Sequence, residues 1–167
     1  MARILLYIGG ARSGKSRLAE AHTLSLGQPA TYIATAEAWD AEMAARIAAH
    51  QARRGSEWRT LSAPLDVHTA LEQSDGTPRL VDCLTLWLTN LILAERDWQK
   101  AMQAILGLAR AQSAPLVFVS NEVGCGIVPD NALARQFRDA QGWINQTVAA
   151  AADEVHFISA GLSLRMK

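Results

Sequence analysis

The residues Gly9-Gly10-Ala11-Arg12-Ser13-Gly14-Lys15-Ser16 fit the pattern G-x-x-x-x-G-K-[ST]. An apolar, β-prone run precedes it at 4–8, and a helix-favouring run follows it at 17–21. A strand, a glycine-rich loop and a helix in this order form the phosphate-binding loop, or P-loop, of nucleotide-binding proteins. The sequence therefore predicts that residues 9–16 bind the phosphates of a nucleotide.

The residue types of this loop suit that chemistry. Glycine allows sharp turns and a close approach to a ligand, so successive backbone N–H groups can point inward and surround an anion. The helix that follows directs its first N–H groups and the positive end of its dipole toward phosphate. We expect Lys15 to reach the β and γ phosphates and the Ser16 hydroxyl to ligate Mg²⁺.

The whole chain has the composition of a globular protein. It has 167 residues, of which 50% are hydrophobic, with 16 Lys and Arg against 16 Asp and Glu. This length predicts one domain, residues 1–167. A net charge of zero gives no overall attraction to nucleic acid or to anionic membranes. The first strand begins almost at the first residue and no apolar run is long enough for a bilayer, which predicts a cytoplasmic protein.

The two cysteines, Cys83 and Cys125, have neither the spacing of a metal site nor that of a disulfide framework. Both have apolar neighbours in the sequence. This favours two small, buried side chains without a chemical role.

Strands alternate with helices along the chain, and most of the strands are continuous apolar runs. Strands are predicted at 4–8, 31–34, 58–61, 79–82, 115–120 and 154–158, and helices at 15–26, 40–53, 64–71, 84–93, 98–112 and 131–152. The pattern predicts an α/β fold of the P-loop NTPase type (RecA-like), with a mostly parallel sheet and helices on both faces. Ligands bind such sheets beyond the carboxyl ends of the strands, so the P-loop, Asp82 and residues 120–122 should share one edge.

Asp82 ends an apolar strand, where P-loop enzymes place an acid that organises Mg²⁺. An aspartate at a strand end can also simply cap the next turn. The segment 121–129 leaves the next strand with two glycines, and it is either a loop that holds substrate or a structural turn.

His50 lies on the predicted helix 40–53, with Arg46 one turn before it and Arg53 three residues after it on the same face; Arg54 follows. Cationic neighbours disfavour a charge on the imidazole. His50 would then be a neutral nucleophile or base, while the arginines hold a polyphosphate. From these residues alone, a solvent-exposed histidine on a basic helix face remains the alternative.

An ordered set of motifs over nearly the whole chain resembles one family, the bifunctional adenosylcobinamide kinase/adenosylcobinamide-phosphate guanylyltransferases of cobalamin assembly. Besides the P-loop, the set comprises Tyr32-Ile33-Ala34-Thr35-Ala36, Glu42-Met43 with Arg46-Ile47 and His50, Trp58-Arg59-Thr60, Asp82-Cys83-Leu84-Thr85-Leu86-Trp87 with Thr89-Asn90-Leu91, Asn121-Glu122-Val123-Gly124 with Gly126-Ile127-Val128-Pro129, and Leu133-Ala134-Arg135 with Phe137-Arg138-Asp139 and Asn145-Gln146.

The resemblance implies two activities. The first phosphorylates adenosylcobinamide with ATP or GTP. The second transfers GMP from GTP to adenosylcobinamide phosphate through a guanylylated histidine, which corresponds to His50. The resemblance also implies a homo-oligomer, a trimer in this family. The further nucleotide contacts that it implies come from Ala34, Thr35, Ala36, Gln51, Ala52, Arg53 and Arg54.

The sequence departs from the family pattern at Ser62, where some members carry a glutamate that contacts nucleotide. The short serine hydroxyl cannot reproduce the bidentate acceptance of a carboxylate. Two other functions are compatible with the motifs. The P-loop and Asp82 would suffice for a monofunctional small-molecule kinase, and a P-loop alone for a nucleotide-dependent regulatory binding module. The lack of an evident switch segment counts against the latter.

Overall fold

The computed structural model describes residues 1–167, apart from the side chain of Arg46. A seven-stranded sheet forms its centre, with the order β3-β2-β4-β5-β1-β6-β7. The strands are β1 (Ile4–Gly9), β2 (Ala30–Ala34), β3 (Trp58–Ser62), β4 (Arg79–Asp82), β5 (Leu116–Asn121), β6 (Glu154–Ser159) and β7 (Leu162–Arg165). Neighbouring strands pair in parallel except β6 and β7, so the predicted mostly parallel sheet is confirmed.

Six helices connect the strands: α1 (Lys15–Ser25), α2 (Ala41–Ala52), α3 (Val67–Glu72), α4 (Leu84–Leu93), α5 (Trp98–Ala111) and α6 (Ala132–Ala151). Alternate residues of each strand pack against opposite faces of the sheet. On β1, for example, Ile4 and Leu6 belong to one buried cluster, with Trp87 of α4 and Ile144 of α6. Leu5 belongs to the other cluster, with residues of α1. The predicted helices on both faces are thereby confirmed.

Helix α2 is the exception to this packing. Among the described side chains, none of α2 belongs to either core cluster, and most of its residues are exposed. Asp40 caps the helix, since its carboxylate accepts a hydrogen bond from the Met43 N–H at 2.7 Å. Helix α2 therefore lies outside the core, where one of its faces is available to the site.

The helices differ in how they begin. The side chains of Asp40, Asp66, Asp97 and Asn131 each accept a bond from a backbone N–H of the first turn of α2, α3, α5 and α6. Helices α1 and α4 begin without such a cap and have no acid in the first turn. Both follow directly from the carboxyl end of a strand or its loop. The positive ends of two helix dipoles are thus placed at one edge of the sheet.

The observed elements correct the sequence-based prediction in two places. Strand β7 was not predicted, because its four residues are all exposed and carry no buried alternation. It pairs with β6 after Ala160 and Gly161, which both have positive φ. The helix predicted at 64–71 begins at Val67, because Asp66 accepts a bond from the Thr69 N–H. In the part of the chain that the structure describes, no helix combines the length and hydropathy that a membrane span requires.

The P-loop is seated against the turn between β6 and β7. The Gly161 N–H donates to the Ser13 carbonyl at 2.8 Å. A Cβ on Gly9 would lie 2.3 Å from the Ile158 carbonyl oxygen, so only glycine fits there. Gly14, with φ 92°, takes the left-handed conformation at the start of α1. The fold itself therefore requires glycine at positions 9 and 14, for steric reasons.

We predict opposite effects for two glycine substitutions. Gly9→Ala forces the new Cβ into the Ile158 carbonyl and should lower the free energy of unfolding by about 1–3 kcal/mol. Gly107→Ala, on α5 with nothing within 4 Å of the added Cβ, should raise it by roughly 0.5–1 kcal/mol through helix propensity. Urea denaturation of both variants measures the two changes. Equal effects of the two would contradict the close approach at Gly9.

Candidate active site

A cleft of about 440 Å³ lies at the carboxyl edge of the sheet. The strand register explains its position, since Asp82 lies beside Ala34, Ala34 beside Ser62, and Gly9 beside Asn121. The cleft is lined by Ala11, Arg12, Lys15, Ser16, Tyr32, Ala34, Ala36, Met43, Ile47, His50, Gln51, Arg54, Thr60, Ser62, Asp82, Cys83, Leu86 and Asn121. Parallel pairing thus brings together residues that lie far apart in the sequence.

Four P-loop residues line this cleft, namely Ala11, Arg12, Lys15 and Ser16. The Lys15 ammonium donates to the Gly10 carbonyl at 3.0 Å, which holds it over the loop. Lys15 is only 9% exposed. The other predicted loop residues, Gly9, Gly10, Ser13 and Gly14, shape the loop without lining the cleft. The loop therefore presents two cationic side chains, Arg12 and Lys15, and the Ser16 hydroxyl at one end of the cleft.

Asp82 lies at the floor of the cleft, where its Oδ2 accepts a hydrogen bond from the Tyr32 hydroxyl at 2.8 Å. The Arg54 guanidinium lies over the ring of the same tyrosine, with its central carbon 3.6 Å from the centroid of the Tyr32 ring. Within the described residues, Nε and Nη1 of Arg54 are buried without a hydrogen-bond partner. Buried donors of this kind favour an acceptor supplied by a ligand.

Asn121 closes the cleft on the β5 side. Its N–H donates to the Thr85 hydroxyl at 2.9 Å, and its carbonyl accepts from the Asn145 side chain at 3.1 Å. The backbone of Asn121 is thereby fixed. Its side-chain Oδ1 is buried without a partner among the described residues. This orphaned oxygen, like the unpartnered guanidinium nitrogens of Arg54, indicates that the cleft is shaped for a ligand.

One face of α2 covers the cleft. Met43, Ile47, His50 and Gln51 recur at helical spacing and all line it, followed by Arg54. The Arg53 side chain points to the imidazole, and its Nη2 lies 2.9 Å from His50 Nδ1. Arg53 itself does not line the cleft, and neither does Ala52. The predicted contribution of Arg46 lies outside the described side chains.

The Arg53 contact fixes the proton on His50. A guanidinium only donates hydrogen bonds, so Nδ1 is the acceptor, and a neutral imidazole then carries its proton on Nε2. The lone pair of a neutral His50 is therefore the one that Arg53 holds. Attack by either ring nitrogen requires this contact to break.

The predicted nucleotide contacts at 34–36 divide into two roles. Ala34 and Ala36 line the cleft, whereas Thr35 is fully buried. The Thr35 hydroxyl donates to the Cys83 carbonyl at 2.8 Å and accepts from the Cys83 N–H at 2.7 Å. Its own carbonyl accepts from Asn90 at 2.9 Å. The Thr35 side chain thus ties β2 to the start of α4 and offers no direct contact to a ligand. Ser62 does line the cleft.

The two cysteines differ, which corrects the expectation of two buried side chains. Cys83 is buried and lines the cleft. Burial raises the pKa of its thiol to about 11, so it stays protonated at neutral pH and is a poor nucleophile. Cys125 is exposed, because Glu122 accepts bonds from the Gly124 N–H and the Cys125 thiol and so turns the loop outward. In this loop only Asn121 reaches the cleft.

Several cleft residues were missed from the sequence: Tyr32, Met43, Ile47, Thr60, Leu86 and Asn121 as a direct lining residue. The helical spacing of Met43, Ile47, His50 and Arg54 is a local signal that could have identified the first pair. Tyr32 lies two residues before Ala34 on β2 and so shares its face. Thr60 and Leu86 depend on the sheet register and on the path of α4.

The fold and the loop together define the class: a P-loop protein with a histidine in the cleft beside its loop. Residues 5–166 match the model of a family described as cobinamide kinase / cobinamide phosphate guanyltransferase. The chain belongs to that family.

Relatives and a solved structure show how far the similarity extends. The bifunctional adenosylcobalamin biosynthesis protein CobP of Pseudomonas aeruginosa is 46% identical, covering 97% of this chain and 96% of its own. Proteins named CobU are similar over 98% of this chain and 99% of their own, with 39% identity in Salmonella typhimurium and 40% in Escherichia coli. The RadB recombinase structure has 15% identity and a TM-score of 0.49, covering 93% of this chain and 73% of that chain.

The Arg53 contact predicts the tautomer of His50. At a pH where the imidazole is neutral, its ¹⁵N chemical shifts should show the proton on Nε2 in the wild type. Arg53→Met removes this donor and should lower the share of the tautomer that is protonated on Nε2. Arg59→Met, which changes an exposed arginine of β3, serves as control and should leave the shifts unchanged. A wild-type proton on Nδ1 would contradict the contact.

We also predict that the two thiols react differently. A disulfide exchange reagent should modify Cys125 in the native protein and Cys83 only after unfolding, because burial shields one thiol and the loop exposes the other. Thiol titration therefore yields one fast group, which Cys125→Ser abolishes. Fast modification of Cys83 in that variant would be inconsistent with its buried position.

Proposed function

We propose that this protein phosphorylates adenosylcobinamide with ATP or GTP and then transfers GMP from GTP to adenosylcobinamide phosphate through a guanylylated His50. The observation that carries the proposal is that His50 of α2 lines the same cleft as Lys15, Ser16 and Asp82. Family membership and the similarity to relatives named as bifunctional adenosylcobalamin biosynthesis proteins support both activities. Two reactions on one class of nucleotide need one phosphate-binding loop and, for the second, a nucleophile from another element.

In the kinase step, the aminopropanol hydroxyl of adenosylcobinamide attacks the γ-phosphorus of the nucleotide. The new O–P bond forms as the bond to the β-phosphate oxygen breaks, and the hydroxyl proton is released. Lys15 and the N–H groups at the start of α1 lie where they offset the charge of the phosphates. Protein side chains need not form a covalent bond in this step.

In the guanylyl step, the lone pair of His50 attacks the α-phosphorus of GTP and pyrophosphate leaves. A phosphate oxygen of adenosylcobinamide phosphate then attacks the same phosphorus, the P–N bond breaks, and the neutral imidazole is restored. The Arg53 contact to Nδ1 has to break first. Arg53 is then available to the phosphate charge, so nucleotide binding and activation of His50 would be linked. Arg54 and Lys15 stabilise the charge on the pyrophosphate.

The residues present fit a magnesium ion. Mg²⁺ prefers oxygen ligands and is usually held by one or two carboxylates together with substrate phosphates and waters. Ser16, Asp82 and Asn121, which carry a hydroxyl, a carboxylate and the orphaned Oδ1, all line the cleft. The described residues contain no cluster of three or more His, Cys, Asp and Glu that could hold a metal ion by themselves. When bound, Mg²⁺ neutralises charge on the β and γ phosphates.

The proposal extends to the remaining properties of the chain. The continuous sheet supports one catalytic domain, residues 1–167. We expect small-molecule substrates and no nucleic-acid partner, and a cytoplasmic location. The resemblance to the family further suggests a homo-oligomer, most simply a trimer.

Covalent labelling tests the nucleophile. With α-³²P-labelled GTP the protein should acquire a label that is labile to acid and stable to base, as a phosphoramidate is. His50→Ala should remove the label, because it removes the imidazole that the proposal makes the nucleophile. His68→Ala, which changes a histidine outside the cleft, is the control. Equal labelling of wild type and His50→Ala would show that the assignment is wrong.

The division of labour between the loop and the helix gives a further expectation. Lys15→Ala should lower both activities by more than a hundredfold, since one loop serves both reactions. His50→Ala should abolish guanylyl transfer and leave the kinase rate within a few fold. Separate assays of phosphorylation and of GMP transfer measure these effects. A protein that transfers γ-phosphate but never GMP would be a monofunctional kinase, and one that binds nucleotide without either turnover a regulatory module.

A further inference from the structure

Tyr32 is the side chain that joins the cationic and the acidic parts of the cleft. It is 4% exposed and lies on β2, which pairs directly with β4, the strand that carries Asp82. Its hydroxyl donates to Asp82 Oδ2 at 2.8 Å, and its ring carries the Arg54 guanidinium at 3.6 Å. The ring itself is held edge-on by Trp58, with centroids 5.7 Å apart and planes at 85°. One rigid side chain therefore touches both charged groups.

Each contact restricts one of these groups. The hydrogen bond from Tyr32 fixes the orientation of the Asp82 carboxylate, since Oδ2 is the atom held. The Tyr32 ring lies against the guanidinium and restricts the Arg54 side chain, which otherwise has several rotatable bonds. Nε and Nη1 of Arg54 are buried and have no hydrogen-bond partner among the described residues. Its orientation therefore comes from the ring, and its donors are left for a ligand.

We propose that Tyr32 is a positioning residue that fixes the orientation of the nucleotide-binding cation Arg54 relative to the metal-organising acid Asp82. The inference rests on the proposed function, which places the nucleotide and its metal in this cleft. The ring determines how well phosphate binds to Arg54, and the hydroxyl determines how well Asp82 serves the metal. The two parts of the side chain thus have separable effects.

A merely structural tyrosine would behave differently. Burial of the ring against Trp58 contributes to stability in either case, so a loss of stability decides nothing. A positioning role predicts instead that removing the hydroxyl changes the dependence of nucleotide binding on Mg²⁺. It also predicts that removing the ring weakens binding even without metal.

Equilibrium binding of β,γ-methylene-GTP, measured by calorimetry with Mg²⁺ and with EDTA, separates these effects without turnover. Tyr32→Phe keeps the ring, so its affinity in EDTA should stay within about twofold of wild type. The gain in affinity on adding Mg²⁺ should fall by about tenfold or more, the effect of losing one hydrogen bond to a charged group. Tyr32→Leu should lose about tenfold in affinity in EDTA through loss of the cation–π contact.

Matched variants make the test specific. Arg54→Met should show the same loss of nucleotide affinity in EDTA as Tyr32→Leu. The Tyr32→Leu/Arg54→Met double variant should lose little more affinity than either single variant. The Tyr32→Phe/Asp82→Asn double variant should lose no more of the affinity gained on adding Mg²⁺ than Asp82→Asn alone, because both substitutions act through the Asp82 carboxylate. If Tyr32→Leu fails to fold, Tyr32→Phe and Arg54→Met still decide the question.

The outcomes separate this inference from the proposed function. If the wild-type protein does not bind β,γ-methylene-GTP either with or without Mg²⁺, the proposed function is overturned. Wild-type binding that responds to Mg²⁺, together with an unchanged Mg²⁺ response in Tyr32→Phe, would overturn the positioning role alone. An additive loss of the Mg²⁺ response in the Tyr32→Phe/Asp82→Asn variant would also overturn it.

Discussion

Parallel pairing of six strands is the constraint on which the rest of this structure depends. It forces the carboxyl ends of β1, β2, β3, β4 and β5 to one edge, where the register aligns Gly9 with Asn121 and Asp82 with Ala34. Two helices without side-chain caps begin at the same edge and add their dipoles. Helix α2, outside the core, then closes the edge into a cleft and supplies His50. The phosphate loop and the histidine meet only because of this arrangement.

Much of the fold could be predicted from the sequence because its signals are local. Apolar runs marked the central strands, and Asp40 and Asn131 marked helix starts that the structure confirms by hydrogen bonds. Strand β7 could not be predicted in this way. All of its residues are exposed, and it forms only because the turn at Gly161 folds it back on β6. Cys125 was wrongly expected to be buried, since apolar neighbours in the sequence do not reveal that a loop turns outward.

The residues of the candidate site also fall into two groups: those that local sequence signals predict, and those whose roles depend on contacts between distant parts of the chain. The P-loop pattern and the acid at the end of β4 could be read locally, and the family resemblance pointed to His50. The roles of Tyr32 and Thr35 depend on contacts between strands distant in sequence: one orients Asp82, and the other holds the backbone at Cys83. The Arg53 contact to His50 is local in sequence, yet its chemical meaning follows only from seeing which ring nitrogen accepts. Spacing identified the participants, and geometry distinguishes those that face the ligand from those that position them.

The central claim is that guanylyl transfer passes through His50 in two displacements at the α-phosphorus. The most direct test is stereochemical, using GTP made chiral at that phosphorus by sulfur substitution and analysing the product by ³¹P NMR. Each in-line displacement inverts the phosphorus, so two displacements restore its configuration. The account predicts overall retention in the adenosylcobinamide-GDP analogue. Overall inversion would show direct transfer from GTP to the acceptor phosphate and would contradict a guanylylated His50.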